Sequence, residues 1–290
     1  MITLYLLGKK GLSLLFNVKQ EDIKYISKVI IGKDKNVIND YSADIEASCI
    51  KNLISYVVSN NQKSFKTEYA IAVGWRQLIN YTNNQRLIVF HDSILPRLRG
   101  FNPLVTSLIN GDSQIGVTAL FASNDYDKGD IIDCEKSTIE YPMKIEEAIN
   151  IVSGGYSKLA NRIISNIIGG KELSSEKQDE SKATYSLWRN HDDYRINWSN
   201  SANKIARHID AVGFPYTGAV AELNNAFITI IDSQPIDDVV IENRTVGKVI
   251  FKEDNFPIVV CGKGLLKVLN AVDSENKKID FSKNFRLRFK

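Results

Sequence analysis

Residues 89–104 read Val-Phe-His-Asp-Ser-Ile-Leu-Pro-Arg-Leu-Arg-Gly-Phe-Asn-Pro-Leu, residues 115–121 read Ile-Gly-Val-Thr-Ala-Leu-Phe, and residues 125–130 read Asp-Tyr-Asp-Lys-Gly-Asp. The apolar run Leu87 to Phe90 predicts a buried strand that delivers His91 at its carboxyl end. A loop carrying Pro96, Arg97, Arg99 and Gly100 follows, and then a helix with Asn102 as N-cap and Pro103 in its first turn. Gly116 to Phe121 predicts a second strand, ending just before the acidic loop with Asp125 and Asp127. Ligands of open α/β sheets bind beyond the carboxyl ends of the strands, so two neighbouring parallel strands would bring His91 and Asp127 together.

The flanking sequence extends this pattern. Ile2 to Leu7 is a continuous apolar run suited to a strand buried on both faces, and Gly8-Lys9-Lys10-Gly11 reads as a turn into an apolar helix from Leu12 to Phe16. That turn either holds an anion at a helix N-terminus or is a surface turn with solvated lysines. It is not a dinucleotide fingerprint, because Gly-x-Gly-x-x-Gly is absent. Strands are expected at Tyr25–Gly32 and Tyr69–Val73. Ile45, Cys49, Leu53 and Val57 have helical spacing. Residues 144–168 form a long apolar-periodic helix that Gly154 and Gly155 would break or bend. The alternation of strands and helices argues α/β architecture with a mostly parallel sheet.

Residues 169–184 are polar, charged and without period, which marks the best domain boundary. Beyond it lie a helix from Ser199 to Val212 and short strands at 219–223, 227–231, 248–251, 257–261 and 265–269, with Asn224-Asn225 as a tight hairpin turn. A small open β-barrel is expected there. The domains are therefore drawn at 1–180 and 181–290.

Composition bounds the function. The chain has 290 residues, 43% hydrophobic and 24% charged, with ample core material. A net charge of +3 without a dense basic run argues against nucleic acid. The three cysteines are far apart, with no metal or disulfide spacing, so no metal site is expected and a reducing, cytoplasmic location is. No stretch reaches the ~18 apolar residues of a membrane span, and no signal peptide is read at the amino terminus.

His91-Asp-Ser-Ile-Leu-Pro-Arg-Leu-Arg-Gly, Leu108-Ile-Asn-Gly-Asp, Ile115-Gly-Val-Thr and Asp127-Lys-Gly-Asp-Ile together resemble the formyl-tetrahydrofolate-dependent formyltransferase family in order and spacing. Ala183-Thr-Tyr-Ser-Leu-Trp-Arg-Asn, Asp193-Tyr-Arg-Ile-Asn-Trp-Ser and Ile209-Asp-Ala-Val-Gly-Phe-Pro-Tyr-Thr-Gly-Ala resemble the carboxyl-terminal module of its methionyl-tRNA and sugar-nucleotide branches. The resemblance is weakest over the first sixty residues. It implies a Rossmann-like formyl-transfer domain followed by a small β-rich, OB-like domain, with N10-formyltetrahydrofolate as formyl donor. It maps the pterin end of the folate to Gly74, Trp75, Leu78, Leu87, Ser123 and Asn124, within the loop that runs on to Asp127. It assigns His91 to the intermediate formed at the formyl carbon and Asp127 to proton transfer, the work that an oxyanion and an ammonium require.

One position departs from the family. Val89 stands where the family has an asparagine that donates to the formyl oxygen. Losing one such donor typically costs about 3 kcal/mol. Another donor, Asn102 or a backbone N–H, replaces it, or His91 works slowly alone, or the site binds ligand without chemistry. For the acceptor, the weak charge favours a nucleotide-linked amino sugar, a 4-amino-4,6-dideoxy sugar in the first instance, over methionyl-tRNA. Lys10, Ser93 and Arg97 are its candidate contacts, with solvated side chains the equal alternative. Trp188 is expected in a packed core rather than against a base. The carboxyl-terminal strands either bind a ligand or pair two copies of the chain, so a homodimer is admitted.

Overall fold

In the computed structural model, which describes residues 1–290 except 36, 38, 62 and 63, the chain divides into two compact units. The first comprises Met1–Leu104, Ser113–Ile139 and Glu147–Leu187; the second comprises Val105–Asp112, Glu140–Glu146 and Trp188–Lys290.

The first unit is built on β1 (Ile2–Leu6), β2 (Ile26–Ile31), β3 (Tyr56–Val58), β4 (Tyr69–Val73) and β5 (Arg86–His91). It also holds the short β6 (Arg99–Gly100), β7 (Gln114–Phe121), β8 (Ile131–Thr138) and the short β9 (Tyr185–Ser186). Among the described residues one sheet joins seven of these in the order β3-β2-β1-β4-β5-β7-β8. Its first five strands are parallel, whereas β7 runs antiparallel to β5 and β8 antiparallel to β7. The expected parallel neighbour of β5 is thus reversed. The chain turns direction between β1 and β4, which makes their carboxyl ends the switch point where α/β sheets open a crevice. There Leu7 N–H reaches Val73 O at 3.0 Å and Gly74 takes φ 66, with a Cβ on it only 2.6 Å from Leu7 O.

Strand alternation gives the sheet two different faces. Leu4, Leu6, Val29, Ile31, Ile71, Val73, Ile88 and Phe90 pack with residues of α1 (Gly8–Asn17), α2 (Ser42–Lys51) and the long α4 (Ile145–Ile168). Tyr5, Ile30, Ala70, Ala72, Leu87 and Val89 face the other way and meet Phe65, Trp75, Ile79 and Ala122 from loops.

Several local expectations change. The Gly8–Gly11 segment is the first turn of α1 rather than a turn before it. Helical spacing holds for Ile45 and Cys49, both fully buried, but Leu53 sits at φ 55 and is 94% exposed, and Val57 belongs to β3. A left-handed residue ends a right-handed helix, so the periodic run does not continue. Gly154 and Gly155 do not interrupt α4. Residues 169–184, read as polar and without period, lie in the first unit: Glu176 pairs with Ile131, and just beyond them β9 pairs in parallel with β6.

The α3 helix (Pro103–Asn110) follows β6. In the second unit α5 (Ala202–Val212) is capped by Ser201, whose hydroxyl accepts from Lys204 N, and buries Ala202, Ile205 and Ile209. The strands β10 (Ala219–Leu223), β11 (Ala226–Ile236), β12 (Val249–Glu253), β13 (Phe256–Val260) and β14 (Leu265–Val272) pair antiparallel in the order β10-β11-β14-β13-β12. The Asn224-Asn225 turn holds both residues at positive φ, 52 and 63, the geometry a two-residue hairpin needs.

The sheet does not stay open at its edges. Glu222 of β10 exchanges both backbone bonds with Lys290 (2.8 and 2.9 Å), while Val249 N–H of β12 reaches Leu287 O at 3.0 Å. Residues 287–290 thus bridge the two edge strands and satisfy their unpaired groups. Phe289, 1% exposed, anchors that segment against Trp198 and Phe281 (ring centroids 5.4 and 6.1 Å apart). Phe289→Ala is expected to lower unfolding free energy by about 3–5 kcal/mol in urea titrations followed by tryptophan fluorescence. A loss below about 1 kcal/mol would show that the bridge is not held by this ring.

Candidate active site

In β5, Leu87, Val89 and His91 share the face packed by loop residues, while Ile88 and Phe90 enter the helix-covered core. His91 closes the strand and is 8% exposed. Its Nε2 lies 2.8 Å from Leu98 O. A carbonyl oxygen only accepts, so Nε2 carries the hydrogen and Nδ1 is the ring nitrogen left to face Asp127. Nδ1 lies 3.5 Å from Asp127 Oδ1, beyond a good hydrogen bond and within reach of an atom placed beside both.

Asp127 arrives by an unexpected path. Phe121 at the end of β7 is opposite Ile88, near the start of β5, so the chain leaves β7 at the end remote from His91. The loop 122–130 then folds back. Ala122 N–H bonds Leu87 O at 2.8 Å, and Phe121 N–H bonds Asp130 O at 3.0 Å. Gly129 passes so close that a Cβ would sit 1.7 Å from Phe121 O. Asp127 itself takes φ 58, and its Oδ2 accepts from Gly100 N–H at 2.9 Å. Gln178 Nε2 donates to Asp127 O (2.7 Å) and Gly129 O (2.8 Å).

On the opposite side of β5, Asp92 accepts from Lys10 of α1 and from the Tyr156 hydroxyl of α4, whose ring stacks on Phe90 at 5.5 Å. Burial pushes the Asp92 carboxyl up, but the Lys10 ammonium and the bonds from Lys10 and Tyr156 outweigh it and hold the carboxyl below its ordinary value. Burial, and then the charge of Asp92, push the Tyr156 phenol well up. Lys10, a candidate substrate contact with a solvated side chain as the equal alternative, is thus engaged by Asp92.

The remaining expected residues divide. Gly74 and Trp75 lie at the switch point, and the Tyr81 hydroxyl donates to Ala122 O at 3.0 Å, tying the loop after β4 to the one bearing Ser123 and Asn124. Leu78 is exposed, but Leu87 is 5% exposed and is core. Ser123 donates to Asp125 O at 2.7 Å. Ser93 is buried and its hydroxyl donates to Arg97 O at 2.7 Å, so it is spent within its own loop; Arg97 is exposed. Asn102 adopts φ 50 rather than the extended conformation of a cap, and among the described residues the structure shows no contact between it and His91 or Asp127. Trp188 is exposed, not packed in a core. Two buried donors on the face of His91, Tyr5 Oη and Trp75 Nε1, have no partner among the described residues, and burial raises the Tyr5 hydroxyl to about 12. Sequence reading missed Asp92, Tyr156 and Gln178. Asp92 is next to His91 in the chain and was open to notice, whereas Gln178 lies in a stretch without any periodic signal.

No helix among the described residues is long and apolar enough to cross a membrane. Residues 45–151 match the formyl transferase family, and residues 189–287 match the family of the formyl transferase C-terminal domain. The methionyl-tRNA formyltransferase of Thermodesulfovibrio yellowstonii is 30% identical over 229 residues, 77% of this chain and 71% of the relative. The solved structure of WlaRD, a sugar 3N-formyl transferase in the presence of dTDP and 5-N-formyl-THF, aligns with a TM-score of 0.67 at 20% identity, covering 92% of this chain and 96% of that one. The N-formyltransferase from Helicobacter canadensis, in complex with folinic acid and dTDP-3-aminofucose, aligns with a TM-score of 0.69 at 16% identity, covering 92% and 98%.

Acid titration isolates the Asp92 contribution. A carboxyl held down in the folded state stabilises fully above its unfolded value, about pH 4, and that stability is lost as pH falls through the lower folded value. The urea midpoint of the wild type is therefore expected to drop more steeply below about pH 4 than that of Asp92→Asn, which starts lower at neutral pH. Parallel curves would remove Asp92 from the acid sensitivity of the fold.

Proposed function

The chain belongs to the formyl transferase family, and we propose that it transfers a formyl group from N10-formyltetrahydrofolate to the amino group of a nucleotide-linked amino sugar. The observation that carries the chemistry is the facing of His91 Nδ1 and Asp127 Oδ1 at 3.5 Å, on the sheet face packed by loop residues. An acyl transfer to an amine needs a group to take the amine proton and another to meet the oxygen on which charge develops. Asp127 takes the proton as the new C–N bond forms and returns one to the nitrogen that releases the formyl group. His91, its Nε2 hydrogen fixed on Leu98 O, meets the developing charge through a hydrogen carried on Nδ1.

The donor supplies an activated formyl carbon. Trp75 and Leu78, with the loop at Ser123 and Asn124, would hold its ring system, and the unpartnered Tyr5 Oη and Trp75 Nε1 on the same face suit a flat heterocycle with polar edges. Val89 faces that side without a donor. Gly100 N–H is committed to Asp127, so it does not replace the missing amide.

A sugar nucleotide as acceptor is supported by the weak net charge of +3 and by alignment over 92% of the chain to two sugar N-formyltransferase structures. The 30% identity to a methionyl-tRNA formyltransferase favours the second reading, initiator tRNA. Incubating the purified protein with the folate donor and a panel of dTDP- and UDP-linked 3- and 4-amino sugars separates them. One formyl group added to a sugar is expected by mass spectrometry, and formylation of charged tRNA with no sugar product would reverse the assignment. His91→Ala is expected to lower kcat by at least about a hundredfold. An active wild type with an equally active His91→Ala would dismiss the imidazole from the chemistry. Val89→Asn is expected to keep the fold by circular dichroism and to retain activity; a collapse in rate with the fold intact would show a site rebuilt around valine.

A further inference from the structure

We propose that Gln178 is a positioning residue that holds Asp127 against His91, through a relay anchored by the buried Arg99 and by Glu180; the proposal rests on the formyl-transfer reading above. Both hydrogens of the Gln178 amide are used, one toward Asp127 O at 2.7 Å and one toward Gly129 O at 2.8 Å. Its Oε1 accepts from Arg99 Nε and Nη2 at 3.1 and 2.8 Å. A guanidinium only donates, so the amide oxygen must face Arg99 and the NH2 must face the loop. Arg99 is 0% exposed, and its charge is met by the two carboxylate oxygens of Glu180 at 2.7 and 2.9 Å. A buried guanidinium is tolerated only when paired and fully bonded, so the relay has one arrangement.

The relay ends on the reacting residue itself. Asp127 sits at φ 58, a region that side chains other than glycine seldom adopt, and the Gln178 bond to its own carbonyl holds that conformation. The residues on either side of Arg99 complete the frame: Leu98 O receives His91 Nε2, and Gly100 N–H holds Asp127 Oδ2. Parallel pairing of β6 with β9 locks this stretch to the strap that carries Gln178 and Glu180. One strap therefore sets both partners of the pair.

The test is Gln178→Glu, which keeps the shape and the acceptor for Arg99 but removes both donors to the loop. We expect kcat to fall by about ten- to a hundredfold, the scale of a small misplacement of reacting groups, with KM for folate donor and amino sugar within about twofold. The ¹⁵N signals of His91, identified by their absence in His91→Gln, are expected to shift, because the neighbouring carboxylate moves. A kcat near wild type overturns the proposal, as does a fall in kcat matched by a rise in both KM values with the His91 signals unmoved. Should Gln178→Glu not fold, Glu180→Gln, at an exposed carboxylate, is put through the same two measurements, and the same outcomes support or overturn the proposal. A wild type that formylates no acceptor defeats the functional reading alone, since the His91 signals still decide whether Gln178 sets the pair.

Discussion

A single backbone N–H, that of Gly100, fixes one carboxylate oxygen of Asp127 at 2.9 Å and leaves the other facing the His91 ring. Much of the first unit serves that division. Each of the two groups is held from its other side. Leu98 O holds the imidazole by Nε2, and Gly100 N–H holds the carboxylate by Oδ2, from residues two apart in the chain. Nδ1 and Oδ1 remain 3.5 Å apart.

The reversal of β7 explains why a long loop is needed. A parallel β7 would release the chain beside His91 directly. The antiparallel strand releases it near Leu87, and the loop must travel back along the face of His91. It can do so because the residues packed on that face come from loops, and because Gly129 admits the contact with Phe121 O that any larger residue would forbid. The same loop covers the strand, which leaves His91 only 8% exposed.

Alternation along β5 then separates two electrostatic tasks that adjoin in sequence. His91 turns to the loop-packed face. Asp92, one residue on, turns to the helix side, where Lys10 and Tyr156 engage it and bind α1 and α4 to the strand's end. Asp92 and Asp127 thus lie on opposite sides of the strand's end, although His91 still contributes to lowering the Asp92 carboxyl and the charge of Asp127 acts on the Tyr156 phenol.

What the chain alone determined were the strands and helices whose apolar spacing dictates which face is buried: β1, β4, β5 and α5 lie close to where the readings of Ile2–Leu7, Tyr69–Val73, Leu87–Phe90 and Ser199–Val212 put them. The tight Asn224-Asn225 turn was legible because two left-handed residues suit few side chains. His91 and Asp127 were legible through local composition and family resemblance. The sequence did not carry the direction of β7, the start of α1 at Gly8, or the bridging of two edge strands by residues 287–290, since strand direction and edge closure depend on pairing between segments far apart. Nor did it mark the strap at Gln178 and Glu180. Polar residues without period look alike whether solvated or bonded to a buried arginine, and only tertiary contact with Arg99 distinguishes them.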